Sequence, residues 1–292
     1  MRGVLTLAGE GTRMLPWTRG LRKEFLPVWD QGANGTPVLK PVAHVVLETL
    51  VGAGIDDVTL VVAPKDLAFV QNYFTIDQPF LKRHQHHAER LRETTQFYTT
   101  LRALRLRFAV QPRPRGFGDA VLQTEPFVGH EPFVLHAADA VLLERHRGEL
   151  PRLMHRIRDK DGLDGVLLVR RVTDPRRYGV VEGMPDGSVG AYRRLNVRRM
   201  EEKPPHPRSH WAATAVYAFA PELFGALKRI RDGRRPRELE LTEAIQELIR
   251  EGRRIDALVV DPRRAEWRSV GSPEGFLKAL KATRRWLARS TR

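Results

Sequence analysis

The sequence predicts an α/β fold, a mostly parallel mixed sheet with helices on both sides, and three observations lead there. Short apolar, β-branched runs recur along the chain. Longer stretches with a helical apolar spacing separate them, and the first run empties into a glycine-rich turn. Near-continuous apolar runs suit strands covered on both faces, and their alternation with helices implies parallel pairing through crossovers. A length of 292 residues accommodates one large domain of this kind, and the whole chain is read as one.

Taken in order, the first run is Gly3 to Ala8. It follows Met1-Arg2 but ends before a signal-peptide core reaches its usual length, and charged residues follow at once, so it reads as a buried strand. Pro41 to Ala53 has helical spacing and ends on Gly54 as a C-terminal cap. Asp57 to Ala63 is a valine-rich strand. Asp66 to Leu104 is a long, polar, helical insertion and a surface for self-association. Its His84, His86 and His87 read as a solvated helix face, because only the first and last share a workable spacing and no acidic partner is in view. Strands follow at Leu106 to Val110, Pro132 to His136 and Val166 to Val169. Tyr178 to Arg199 reads as a hairpin inserted beside the sheet, turning at Pro185-Asp186-Gly187. Ala212 to Phe219 and Arg254 to Val260 are strands, and Thr242 to Arg250 between them is a helix ended by Gly252. Its apolar face carries Leu241, Ile245, Leu248 and Ile249.

Composition narrows the function. Hydrophobic residues make up 41% and charged residues 29% of the chain, as in ordinary globular proteins. No apolar run approaches the roughly 20 residues that cross a bilayer. Cysteine is absent, which removes disulfides, a thiolate nucleophile and cysteine-based metal sites, and points to the cytoplasm. The formal charge is +15. The positive residues are scattered, with no basic tail and no basic run interleaved with aromatics, so nucleic acid is not the expected partner. The field still attracts anionic substrates.

The chemistry begins at Ala8-Gly9-Glu10-Gly11-Thr12-Arg13. Glycines at a strand end let the backbone turn sharply and approach a ligand. Successive N–H groups there can point at a polyphosphate. Arg13 adds a fork of donors and Lys23 a mobile charge. The run is neither a dinucleotide fingerprint nor a Walker A loop.

Gly9-Glu10-Gly11-Thr12-Arg13-Met14-Leu15-Pro16, with Lys23-Glu24 and Leu26-Pro27, resembles the signature of the sugar-1-phosphate nucleotidyltransferases. Within them it is most similar to the bacterial UTP–glucose-1-phosphate uridylyltransferases, with motifs in the same order through nearly the whole chain. The resemblance implies a three-layer Rossmann-like sandwich and a Mg²⁺-assisted attack of a sugar 1-phosphate on the α-phosphorus of a nucleoside triphosphate. It implies that Ala8, Gly9, Gly11 and Thr12 bind the triphosphate with Arg13 and Lys23. Gln111 reads the pyrimidine edge, and Gly116 and Gly118 of Gly116-Phe117-Gly118-Asp119-Ala120 lie close to the base. Asp139 is the metal ligand after a central strand. Gly179 of Tyr178-Gly179-Val180-Val181 faces the sugar. In Glu202-Lys203-Pro204, Glu202 holds sugar hydroxyls and Lys203 grips the sugar phosphate. In Glu238 to Ile245, Thr242 is expected to cap a helix.

The sequence departs from the pattern at Glu266-Trp267-Arg268-Ser269-Val270-Gly271, where Ser269 stands in place of the family's second metal aspartate. Serine is a poor ligand for a hard cation beside carboxylate, and Arg268 adds positive charge. Arg22 replaces a common proline, and Ala137-Ala138 precede Asp139. These changes leave open a homologue that binds nucleotides or nucleotide sugars without turning them over. A glycosyltransferase is disfavoured because no Asp-x-Asp surrounds Asp139, with Ala137 and Val141 at the flanking positions.

Overall fold

A computed structural model describes residues 1–234 and 237–290, so the sequence-predicted single domain extends past the described residues at 235–236 and 291–292. The strands are β1 (Arg2–Thr6), β2 (Pro27–Gln31), β3 (Pro37–Pro41), β4 (Asp57–Val62), β5 (Arg105–Val110), β6 (Phe133–Ala137), β7 (Ala140–Glu144), β8 (Gly165–Arg171), β9 (Gly179–Val189), β10 (Tyr192–Glu202), β11 (Trp211–Phe219), β12 (Ile255–Val259) and β13 (Ala265–Ser269). The helices are α1 (Val42–Gly52), α2 (Leu67–Tyr73), α3 (Gln78–Arg83), α4 (Ala88–Arg102), α5 (Phe117–Leu122), α6 (Glu125–Val128), α7 (Glu149–Asp161), α8 (Glu222–Arg234), α9 (Leu241–Arg250) and α10 (Pro273–Ser290). No helix among the described residues is long and apolar enough to cross a membrane.

A nine-stranded sheet runs β5-β4-β1-β6-β11-β8-β12-β10-β9. The apolar runs of the sequence form its centre, and alternate residues of each strand feed two cores. Leu5, Leu60, Val134 and Leu168 face the core built with α1, α4, α7 and α10. Val4, Val61, Leu135 and Leu167 face the one built with α5, α8 and α9. Burial on both faces is the reason these runs lack polar alternation. The expected parallel bias is only half right. β5, β4, β1 and β6 pair in parallel, as do β8 and β12, but β11 runs antiparallel to both β6 and β8 and the β9–β10 hairpin is antiparallel throughout.

That hairpin corrects two expectations. It is the edge of the main sheet, joined through β10 to β12, rather than an appendage beside it. Its turn also falls later than Pro185-Asp186-Gly187. Ser188 pairs with Arg193 and Pro185 with Leu195, so Asp186 and Gly187 together oppose Arg194 in a β-bulge, with Gly187 at φ 71. The reversal occurs after Val189, at Gly190 with φ 56. A turn-forming dipeptide and a bulge make the same demand for a left-handed glycine, and the sequence cue does not separate them.

The segment from 66 to 104 holds α2, α3 and α4, with His86 and His87 exposed. Two small sheets complete the fold, β2 with β3 and β7 with β13. The latter pairs Ala140–Glu144 with Ala265–Ser269, which sets Ser269 opposite Ala140, next to Asp139. α10 returns to β2, where Thr283 Oγ1 accepts from Trp29 N at 3.3 Å and Arg284 lies 5.2 Å over the Trp29 ring.

Candidate active site

The turn after β1 is held from below by Arg22. Its buried guanidinium donates to the carbonyls of Leu7 and Gly9 and pairs with Asp66 at 3.1 Å. With those carbonyls tied back, the loop is fixed by a side chain that replaces a proline of the resembled pattern. Gly11 sits at φ 67, and a Cβ there would meet Thr18 Cγ2 at 2.8 Å. Thr18 in turn donates to the Gly11 carbonyl at 2.9 Å. The loop then makes short 3₁₀ turns at Thr12–Met14, Trp17–Arg19 and Lys23–Phe25, which bring Lys23 back beneath Gly9.

Lys23 Nζ pairs with Asp139 Oδ2 at 2.5 Å. Burial opposes the charged form of each, but their mutual attraction outweighs it, holding the Asp139 carboxyl below its usual range and the Lys23 ammonium above its own. Burial pushes Glu24, beside them, up to about 7 against the pull of Lys23 and Arg22. A Cβ on Gly271 would lie 3.1 Å from Ser269 Oγ and 3.2 Å from both Arg13 Nη2 and Asp139 Oδ2, so these three side chains converge on one point. Ser269 Oγ accepts there from Gly271 N at 3.0 Å.

The convergence point opens into a cleft of about 530 Å³ lined by Arg13, Asp139, Gly179, Glu202, Lys203 and Ser269, among others. Glu202 Oε1 pairs with Lys203 at 2.9 Å, and Oε2 accepts from Thr242 Oγ1 at 2.9 Å. Thr242 therefore does not cap α9; the cap position is Glu240, without a side-chain bond, and the hydroxyl serves the cleft instead. A Cβ on Gly179 would reach Thr242 Cγ2 at 2.6 Å and Glu202 Oε2 at 3.3 Å. Lys203 is itself strained, at φ 42, with its N–H bonded to the Tyr178 carbonyl at 3.0 Å. The other non-glycine residue at positive φ among the described residues is Ala215, at φ 57, where β11 loses its register with β8. Both line the cleft. Backbone strain of this kind persists where the surroundings impose it, and it concentrates at functional sites.

Other sequence-predicted residues stand around rather than in this cavity. Ala8, Gly9, Gly11 and Thr12 lie on the loop that delivers Arg13 and Lys23. Gln111 is buried, and its amide donates to the Gly116 carbonyl at 3.1 Å and to Asp119 at 2.8 Å, fixing the loop between β5 and α5. Phe117, between the two glycines of that loop, does line the cleft. A Cβ on Gly116, at φ 99, would meet the Leu239 carbonyl at 2.6 Å, and one on Gly118 would meet it at 2.8 Å. The Leu239 carbonyl also accepts from Gly118 N at 2.8 Å, and Leu239 N donates to the Arg115 carbonyl at 2.7 Å. These glycines are therefore required by the segment that enters α9.

Sequence reasoning missed Arg170, Ala215, Trp267 and Glu240, which also line the cleft. Arg170 carried a signal, a charge closing an apolar strand run. Ala215 carried none, since nothing in an alanine announces positive φ.

With this geometry in view, the relatives of the chain are informative. The nucleotidyl transferase family model matches residues 2–285. UTP–glucose-1-phosphate uridylyltransferase 1 of Streptococcus pyogenes serotype M1 is 31% identical over 283 residues, covering 95% of this chain and 86% of that protein. The low-salt glycan biosynthesis nucleotidyltransferase Agl11 of Haloferax volcanii is 28% identical over 279 residues, covering 96% of this chain and 65% of that one. UDP-glucose pyrophosphorylase complexed with UDP-glucose superimposes with a TM-score of 0.79 at 22% identity, over 97% of this chain and 98% of that chain. The UTP-bound enzyme from Acinetobacter baumannii gives 0.77 at 22% identity, over 96% and 92%. These structures share the mixed α/β fold. The match along 2–285 and the identity to a full-length relative place the chain in the nucleotidyl transferase family of enzymes.

Proposed function

We propose that the protein transfers a uridylyl group from UTP to a sugar 1-phosphate of the glucose class, releasing pyrophosphate. The observation that carries this reading is the convergence of Arg13, the Lys23–Asp139 pair and the Glu202–Lys203 pair on one cleft whose backbone is strained at Lys203 and Ala215. The names of the relatives support UTP and glucose 1-phosphate as the reference substrates. The architecture supports a three-layer Rossmann-like sandwich folded as one domain, and the exposed side of α2 to α4 is the surface we assign to self-association. A cytoplasmic location fits a chain without cysteine.

The step needs no general base. An oxygen of the sugar phosphate, already anionic, attacks the α-phosphorus, and the bond from that phosphorus to the bridging oxygen breaks. Pyrophosphate leaves with the electron pair. Catalysis is then positioning and charge stabilisation. Arg13 and the N–H groups of Ala8 to Thr12 hold the triphosphate, and Lys23 sits at the α-phosphate. Lys203 holds the incoming phosphate, while Glu202 and the backbone at Gly179 hold the hexose. Gln111 fixes the loop of Gly116 and Gly118 against which the base rests.

Magnesium is commonly held by one or two carboxylates together with substrate phosphates. Asp139 supplies one carboxylate with the Ser269 hydroxyl beside it, and no group of three His, Cys, Asp or Glu among the described residues could hold a metal alone. This donor set fits Mg²⁺ bound jointly by Asp139 and the triphosphate. When bound, the ion neutralises charge on the phosphate oxygens.

Pyrophosphate release from UTP and glucose 1-phosphate, with Mg²⁺ varied, tests the proposal. Turnover of both substrates is the expected outcome. Calorimetric binding of UTP without any release would replace it with a binding homologue.

A further inference from the structure

Beside Tyr178 the cleft is lined by an arginine that no carboxylate among the described residues answers. Arg170, half-buried near the end of β8, lines the cleft with its guanidinium 4.8 Å over the Trp267 ring and 5.5 Å over Tyr178. It donates to the Tyr178 hydroxyl at 3.3 Å, and its buried Nε has no partner. Among the described residues no carboxylate pairs with it. Burial and the neighbouring charge of Arg268 together push its pKa below the ordinary value against the pull of Tyr178. Arg268, on β13, also lines the cleft, and it shares the single carboxylate of Glu266 with Arg285. Two half-buried guanidinium groups thus line one cleft, close enough for the charge of one to act on the other, without a full set of counter-charges.

An unpaired, partly desolvated cation is costly unless a ligand completes it. The phosphates of both substrates already have partners in Arg13, Lys23 and Lys203. Arg170 lies apart from these, against Tyr178, the residue that leads into Gly179 and so into the place assigned to the hexose ring. A guanidinium fork matches a carboxylate or phosphate through paired N–H donors.

We propose that Arg170 and Arg268 form a subsite for a second anionic group on the sugar, so that the preferred acceptor is a hexose 1-phosphate bearing a carboxylate or a further phosphate away from its anomeric carbon. The inference rests on the nucleotidyl-transfer reading and leaves the chemical step unchanged, since the extra group binds and does not react. Three acceptors separate the cases: glucose 1-phosphate, glucuronic acid 1-phosphate and glucose 1,6-bisphosphate. Pyrophosphate release is measured with UTP and Mg²⁺ for the wild type, Arg170→Leu, Arg170→Lys and Arg268→Leu. One anionic acceptor is expected to exceed glucose 1-phosphate at least tenfold in kcat/KM, and which of them does so distinguishes carboxylate from phosphate. Arg170→Leu abolishes most of that preference through KM, and Arg170→Lys restores part of it. Preference for glucose 1-phosphate, or an equal loss on all three acceptors in the leucine variants, overturns the subsite while leaving the transfer reading intact. Release from none of them removes the transfer reading. Calorimetry of glucuronic acid 1-phosphate and glucose 1,6-bisphosphate against glucose 1-phosphate then decides the subsite alone, and equal affinities for all three overturn it.

Discussion

Lys23 and Asp139 neutralise each other where Asp139 lines the cleft, and this pairing sets what a substitution there does. Lys23→Ala leaves the Asp139 carboxylate facing Arg13 and removes the cation assigned to the α-phosphate. A fall in kcat of about 10²- to 10³-fold is expected, as for other groups that stabilise developing charge, together with a lowered but cooperative melting transition. Lys203→Ala acts differently, because Lys203 is 57% exposed and its removal costs the fold little. Its loss should lower kcat/KM strongly with the melting temperature unchanged. Pyrophosphate release near wild-type rates from either variant would discard these roles. Ser269→Asp tests the departure from the family pattern. A second carboxylate beside Asp139, at the point where Arg13 also converges, should lower the Mg²⁺ concentration that half-saturates UTP binding by about tenfold, given the preference of hard cations for carboxylate. An unchanged Mg²⁺ dependence would show that this position does not reach the ion.

At the scale of elements, local pattern and long-range pairing were unequally legible. β1, β4, β6 and β8 announce themselves because burial on both faces demands unbroken apolar residues. β7 and β13 do not: each is short, and each is a strand only because the other, over a hundred residues away, supplies the ladder. The start of α10 went unread in the sequence; there Ser272 Oγ accepts from Gly275 N at 3.1 Å, with Pro273 at the first helical position. Arg13, Asp139, Glu202 and Lys203 were legible through motif resemblance, whereas Arg170 and Ala215 become significant only once β8 and β11 are side by side. α7 shows a different kind of hidden dependence. Glu144 accepts from Gly148 N at 2.9 Å and Leu150 N at 2.6 Å at the start of this helix, yet burial raises its pKa to about 7. The folded chain thus holds a proton at Glu144 that the unfolded chain releases near pH 4.5. Between there and about 7 the native state binds more protons, so this group's contribution to stability declines as pH rises. The stability difference between wild type and Glu144→Gln should therefore move against the wild type from pH 5 to pH 8, as read by denaturant unfolding. A pH-independent difference would mean that the carboxyl ionises normally in the fold.

The whole molecule carries a formal charge of +15 and handles two anionic substrates. A field of that sign accelerates encounter and is screened by salt, since the Debye length shrinks from about 10 Å at 0.1 M to about 3 Å at 1 M. Raising ionic strength should therefore depress kcat/KM for the triphosphate several-fold while kcat changes little. Equal loss in both parameters would locate the salt effect in the chemical step instead.

The short segment from Leu239 to Thr242 ties the loop beside the cleft to Glu202 within it. Its first residue is bonded to the loop of Gly116 and Gly118, and its last to Glu202, with three peptide units between. So short a strap has no slack. On the proposed assignments, a displacement at the loop given to the nucleobase is passed on to the contacts given to the hexose, and occupancy of one half sets the shape the other half presents. Such a tether makes an ordered sequence of arrival natural, with the nucleotide settling its loop first and thereby seating Glu202 for the sugar. In product-inhibition kinetics that order appears as competition between nucleotide sugar and UTP, but not between nucleotide sugar and sugar phosphate.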